Sequence, residues 1–321
     1  MVTHALFCLL QYILLFCTLS AKAGDVDLLI SFKNSLPYPN ILSNWNRTNA
    51  MCEFQGITCK SGHVSSLTIR GLPLRADFMN SVSAYILPLM NLETLTLHST
   101  NLTGSISGPV NCTVRLKELD ISSNNLKGSV SNAASLADSC PSLQSLNLSD
   151  NFIGHAFYSF SPVLPHLKML DLSYNKIRTN KDLEWLFSKV GLLKYLDLSN
   201  NNIQDSLGSL TNLQYLIMWQ NNLNGEISGL SLSDLDLSNN RLSGPIPELG
   251  SLATFSAYAF ENNSGLCGLP LPPCNGGSIS KGDVLQQSST NHESSQGWWI
   301  TLVLLFTFFL IIGFVIGQFI K

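Results

Sequence analysis

The natural proton carriers near neutral pH are the six histidines, His4, His63, His98, His155, His166 and His292. They are scattered along the chain. None belongs to an H-E-x-x-H zinc motif, no G-x-S-x-G marks a serine nucleophile, and no G-x-x-x-x-G-K is present to cradle phosphate. The cysteine pairs have no matching histidine spacing for zinc. Asp120, Asp171, Asp197 and Asp236 form a recurrent acidic column, yet each occupies the same place in a repeat and reads as solvated sheet face rather than catalyst. These residues predict no enzyme activity, no metal and no cofactor.

Thiol chemistry remains. Of eight cysteines, Cys8 and Cys17 fall in an apolar N-terminal run. The other six fall as Cys52/Cys59, Cys112/Cys140 and Cys267/Cys274, and an even count behind a secretion signal predicts disulfides.

The elements that must position these residues are written in a repeat. L-x-x-L-x-L-x-x-N-x-L is clearest from Leu116 to Leu126 and from Leu193 to Ile203. Further copies begin at Leu92, Leu143, Leu167, Leu213 and Leu232, with a degenerate first copy at Val64, eight in all. In a strand the two leucines of L-x-L point to one side, so stacked coils pool them into one core. The following Asn (Asn124, Asn151, Asn175, Asn201, Asn221, Asn240) sits where the chain turns and can bond the backbone of the adjacent coil. The first regular copy has Thr100 there, which predicts a weaker ladder. The fold class is an α/β repeat, a leucine-rich-repeat solenoid with disulfide caps and one C-terminal transmembrane helix.

The chain is 45% hydrophobic and 12% charged, and two apolar segments account for the excess. Residues 1–23 read as a signal peptide, with Ala21-Lys-Ala23 as the cleavage site. Residues 298–320 carry no charge and, as a helix of about 34 Å, would span a bilayer, with Trp298 and Trp299 at the outer interface. A polar spacer and a terminal apolar tail also fit a lipid-anchor signal, so both anchors stay open. The remaining boundaries are an N-terminal cap at 24–63 with a helix over Asp25–Ser35, repeats at 64–252, a C-terminal cap at 253–274, a stalk at 275–297, and Lys321 as the cytoplasmic tail. The net charge of −3 argues against nucleic-acid binding.

Three stretches resemble plant leucine-rich-repeat receptors, most closely the ectodomains of brassinosteroid receptor kinases. They are Leu29-Ile-Ser-Phe-Lys33 through Cys59, the pair Leu223-Asn-Gly225-Glu-Ile227 and Leu242-Ser-Gly244-Pro-Ile246-Pro247, and Ala259 through Pro270. The resemblance covers residues 25–274. It departs where intervals between repeats never exceed 28 residues, which leaves no room for the steroid-binding island domain of those receptors, and where no kinase follows. It therefore implies a receptor-like protein at the plasma membrane, its ectodomain outside, that binds a peptide, steroid or protein ligand and signals through a partner receptor-like kinase in hormone or defence pathways. A membrane-anchored inhibitor similar to polygalacturonase-inhibiting proteins and a truncated decoy of full-length receptors are the alternatives.

The residues flanking L-x-L line the concave face, where such solenoids bind. Tyr195, Tyr215, Ile217 and Trp219 break its run of small and acidic groups and are the candidate contact site. The competing account is that the rings only pack on one another as cross-strand pairs. Sequons at Asn46, Asn101, Asn111, Asn147 and Asn262 predict glycosylation, and sugar on Asn147 would occupy the concave face. In the span, Gly313-Phe-Val-Ile-Gly317 predicts a close helix contact, which the resemblance assigns to an adaptor kinase.

Overall fold

The computed structural model describes residues 24–106, 110–154, 166–178, 192–205, 213–227, 232–248 and 250–274. The expected signal peptide, stalk and membrane span, with Gly313 and Gly317, lie outside the described residues.

The repeat pattern folds as its spacing demands. Eight parallel strands form one face: His63–Arg70, Thr94–His98, Glu118–Asp120, Ser145–Asn147, Met169–Asp171, Tyr195–Asp197, Tyr215–Ile217 and Asp234–Asp236, here coils 1 to 8. Their central leucines, Leu67, Leu95, Leu119, Leu146, Leu170, Leu196, Leu216 and Leu235, pair in register and are all buried. Each such leucine contributes about 1.5–3 kcal/mol by leaving water, and the neighbouring coil supplies the surface that covers it.

Coils 3 to 8 each leave the sheet through a buried or half-buried asparagine. Asn124 donates to the carbonyls of Ile121 and Ser122 in its own coil and, at 2.7 Å, to Leu97 in the preceding one. Its Oδ1 accepts the N–H groups of Thr100 and Leu102. Asn151, Asn175, Asn201 and Asn240 repeat the arrangement, and Asn263 carries it into the C-terminal cap by donating to Leu237. The Thr100 hydroxyl donates to the Leu97 carbonyl, three residues back in its own coil, and to Asn124 Oδ1 of the next coil at 3.3 Å, but among the described residues its side chain makes no hydrogen bond to coil 1.

The residue before each ladder position adopts left-handed backbone geometry. Ser99, Ser123, Asp150, Tyr174, Asn200, Gln220, Asn239 and Asn262 have φ between +52° and +57°. This region is costly for most non-glycine residues. Here the backbone N–H of the first seven donates to a carbonyl of the next coil, for example Tyr174 to Ser199 at 2.9 Å, which offsets part of that cost.

Capping closes the ends. Helix α1, Asp25–Ser35, buries Leu29 and Phe32; Phe32 packs on Trp45, whose ring stacks on Phe54 at 5.7 Å. Asp25 accepts the backbone N–H of Val64, tying α1 to the first coil. Strand Ile57–Lys60 pairs antiparallel with coil 1 and ends the sheet there. Gly56 precedes it at φ +81°, where a Cβ would meet the Thr68 carbonyl at 2.4 Å, so only glycine fits. On the outer side lie a π-helix, Phe78–Ile86, and helix α2, Val130–Asp138, closed by a Ser129/Asn132 capping box. Disulfides join Cys52 to Cys59, Cys112 to Cys140 and Cys267 to Cys274.

Candidate binding face

Most coils fill the sheet face with a self-contained polar bracket. The Asp171 carboxylate accepts both the backbone N–H and the hydroxyl of Ser173, and Asp120 does the same for Ser122. Asp197 and Asp236 accept the N–H of Ser199 and Ser238. The acidic column expected to be solvated is thus partly buried and has a structural task. Asn147 takes the same place in coil 4, its Oδ1 accepting the Ser149 N–H at 2.9 Å. That leaves the Asn147 side chain half-buried within the sheet face, whereas Asn101, Asn111 and Asn262 are exposed. Asn46 is half-buried, with its Oδ1 bonded to Thr48 and Asn49.

Coil 7 breaks this pattern because Ile217 and Trp219 replace the Asp and Ser. In register, Tyr215 stands between Tyr195 and Asp234, and Ile217 between Asp197 and Asp236. Tyr195 and Tyr215 pack with centroids 6.2 Å apart, so part of the ring surface is spent on the pair. Tyr215 still exposes 41% of its surface. Trp219 joins neither tyrosine; it meets Tyr174 of coil 5 edge-on. The four residues expected together therefore split into a Tyr195/Tyr215 pair flanked by Ile217, and a Trp219/Tyr174 pair. Tyr174, 51% exposed, escaped sequence reasoning because it lies outside L-x-L. Its signal was an aromatic in the slot before a ladder asparagine.

The electrostatics are one-sided. Burial raises the carboxyl pKa of Asp171 and Asp197 above the usual range, and neighbouring carboxylates add to the rise, Asp197 and Asp120 acting on Asp171 and Asp236 on Asp197. Burial, then the Asp197 charge, pushes the Tyr195 phenol well up, so it stays protonated and can donate. At the other end of the face Arg70 lies 3.5 Å from Asp120, and His98 bonds Ser122. Among the described residues no group of three His, Cys, Asp or Glu side chains could hold a metal ion. The arrangement offers aromatic surface bordered by underscreened negative charge, which suits recognition rather than bond chemistry.

Family models agree with this architecture. The leucine rich repeat N-terminal domain matches residues 22–60, and leucine rich repeat models match 115–136, 141–203, 192–232 and 231–252. The chain is a leucine-rich-repeat protein. Among relatives of this leucine-rich-repeat protein is the brassinosteroid LRR receptor kinase BRI1 of Oryza sativa subsp. japonica, 36% identical over 223 residues, which are 67% of this chain and 20% of the relative. Pollen receptor-like kinase 2 of Arabidopsis thaliana is 30% identical over 77% of this chain and 31% of its own length. This leucine-rich-repeat protein thus spans a fifth to a third of those relatives. The LRR ectodomain of the plant membrane receptor kinase GASSHO1/SCHENGEN3 from Arabidopsis thaliana shares the fold, with a TM-score of 0.55 and 24% identity over 77% of this chain and 29% of that one.

Proposed function

We propose that this is a receptor-like protein whose concave face at coils 5 to 8 docks an extracellular peptide or the ectodomain of a partner receptor kinase. The observation that carries the reading is coil 7, where Ile217 and Trp219 displace the Asp and Ser bracket that fills the face in coils 3, 5, 6 and 8. Losing that bracket gives up local hydrogen bonds for ring surface, and clustered half-exposed aromatics are the usual anchors of interfaces. The carboxylates beside the rings favour a partner that brings lysine or arginine, since a cation relieves their mutual repulsion and can sit over a ring.

The similarity to plant LRR receptor kinases supports a place at the cell surface, and a kinase would be supplied by the partner. In that reading Gly313 and Gly317 let an adaptor's helix approach within the membrane. The test is co-purification of the full chain from membranes after crosslinking. Trp219→Ala and Tyr215→Ala should each reduce the captured partner while the chain still folds, with any loss of stability confined to about the 0.5–1.5 kcal/mol of the ring pair each one breaks. Gly313→Leu with Gly317→Leu should release the adaptor kinase. Undiminished capture by all of these variants would refute the reading.

A further inference from the structure

A second site lies beside the concave face, along the line where the chain leaves the sheet. The ladder asparagines form the floor of a groove of about 750 Å³. One wall is the left-handed column, including Asp150, Tyr174 and Asn200; the other is the residue after each ladder asparagine, including Phe152 and Lys176, with Arg178 beyond it. From Asn101 in coil 2 to Gln220 in coil 7 it crosses five coil spacings, roughly 24 Å.

Three features of the lining ask for a ligand. The Asn200 Nδ2 is buried without an acceptor, and such a donor costs free energy until one arrives. Lys176 and Arg178 are exposed and form no side-chain hydrogen bond or ion pair with any described residue. Phe152 and Tyr174, 47% and 51% exposed, both line the groove. Asp150 sets one negative charge against the two cations, so a densely charged polyanion is disfavoured. The ladder amides are committed to backbone groups, but Asn101, Asn125, Asn202 and Gln220 bring exposed amides to the lining. An amide, both donor and acceptor, matches hydroxyl groups better than it matches apolar side chains. Flat aromatic rings offer stacking faces, and the cations suit carboxylates spaced along a chain.

We propose that this groove binds a carboxylated oligosaccharide. Asn200 would donate to a ring or hydroxyl oxygen, Phe152 and Tyr174 would stack on sugar faces, and Lys176 and Arg178 would take the carboxylates. This is independent of partner docking on the face itself, although Tyr174 borders both.

The test titrates the full chain with a galacturonic-acid oligomer, its fully methyl-esterified form and a polyglutamate peptide. The acidic oligomer should bind, with the ester weaker on the order of tenfold or more because the carboxylates are masked. Lys176→Ala with Arg178→Ala should cost a similar factor, and Phe152→Ala should weaken both sugars alike, with the unfolding transition unmoved. Should the double variant fail to fold, the acid-to-ester comparison on the unaltered chain decides. Equal binding of polyglutamate would reduce the site to bare charge, and no binding of the acidic oligomer would remove it. Binding that emerges only after enzymatic deglycosylation would assign the groove to the chain's own Asn101 sugar. Each of these three results overturns the proposal.

Discussion

The rings of Tyr174 and Trp219 meet edge-on, with centroids 6.2 Å apart and planes at 81°, although coil 6 lies between the coils that carry them. Coil 6 offers only Ser199 and Asn200 at the corresponding positions, small enough to let the contact form over them. In a stack where coils normally touch only their neighbours, this pair couples coils 5 and 7 directly. A double-mutant cycle of Tyr174→Ala and Trp219→Ala, read by thermal unfolding, should give a coupling of about 0.5–1.5 kcal/mol. Strict additivity would mean that the rings do not interact in solution.

Removing a ladder asparagine should be among the costliest single changes in the chain. Asn175→Ala strips hydrogen bonds from the carbonyls of Leu148, Leu172 and Ser173 and from the Ile153 N–H. Leaving buried backbone groups unpaired at that site should cost about 2–4 kcal/mol in urea unfolding. Thr100→Asn should run the other way. An amide there can reach the Ile69 carbonyl of coil 1, as Asn124 reaches Leu97, and should add about 1 kcal/mol.

Acidity separates two kinds of carboxylate. Asp171 and Asp197 have folded pKa values raised mainly by burial, so the folded state holds their protons more tightly than the unfolded chain. Their ionisation therefore opposes folding above the folded pKa, and the penalty fades as pH falls through it. Asp171→Asn and Asp197→Asn should raise the unfolding temperature at neutral pH, with a gain that shrinks on acidification. Asn147 already shows that an amide can accept the same serine N–H. Glu93 has the opposite sign. Hydrogen bonds from Lys117 and then Lys60 lower its pKa, so its contribution holds above the unfolded pKa and is lost as pH falls through the folded one. Because it sits at the surface, Glu93→Gln should show a small, salt-sensitive effect.

The three disulfides should rank by the loop each closes. Cys112 and Cys140 are 28 residues apart, whereas the other two pairs are separated by 7. Chain entropy gives about 3.5 kcal/mol for the longer loop and about 2.5 kcal/mol for the shorter ones. Replacing both Cys112 and Cys140 with alanine should therefore lower the unfolding midpoint more than either cap variant. The reverse order would place native-state effects above loop closure.

Much of the fold was legible because the repeat encodes it redundantly. Leu119, Leu146 and Leu196 announce strands by their spacing, and Asn124 or Asn201 announces the turn that follows. Helix α1 was readable from Asp25 to Ser35 in the same way. Asn263 was harder: its coil reads Phe255-x-x-Tyr258-x-Phe260, with aromatics where the template has leucines, so the ladder seemed to stop at Asn240. The candidate face was only half visible. Alternation within L-x-L predicts which side chains point inward to the concave surface, but it says nothing about residues beyond the strand. Tyr174, Phe152 and Lys176 come together through the turn, and turn geometry depends on backbone angles that no periodicity in the sequence reports.

The left-handed column has a wider consequence. At these eight places the inter-coil stacking dictates the backbone and leaves the side chain almost free, since Ser, Asp, Tyr, Asn and Gln all occupy the same conformation. A mutation there can rewrite what the surface presents without touching the leucine core or the amide ladder. The solenoid thus holds two separate texts, one that must be kept for the coils to stack and one that can change letter by letter as the molecule acquires a new thing to recognise.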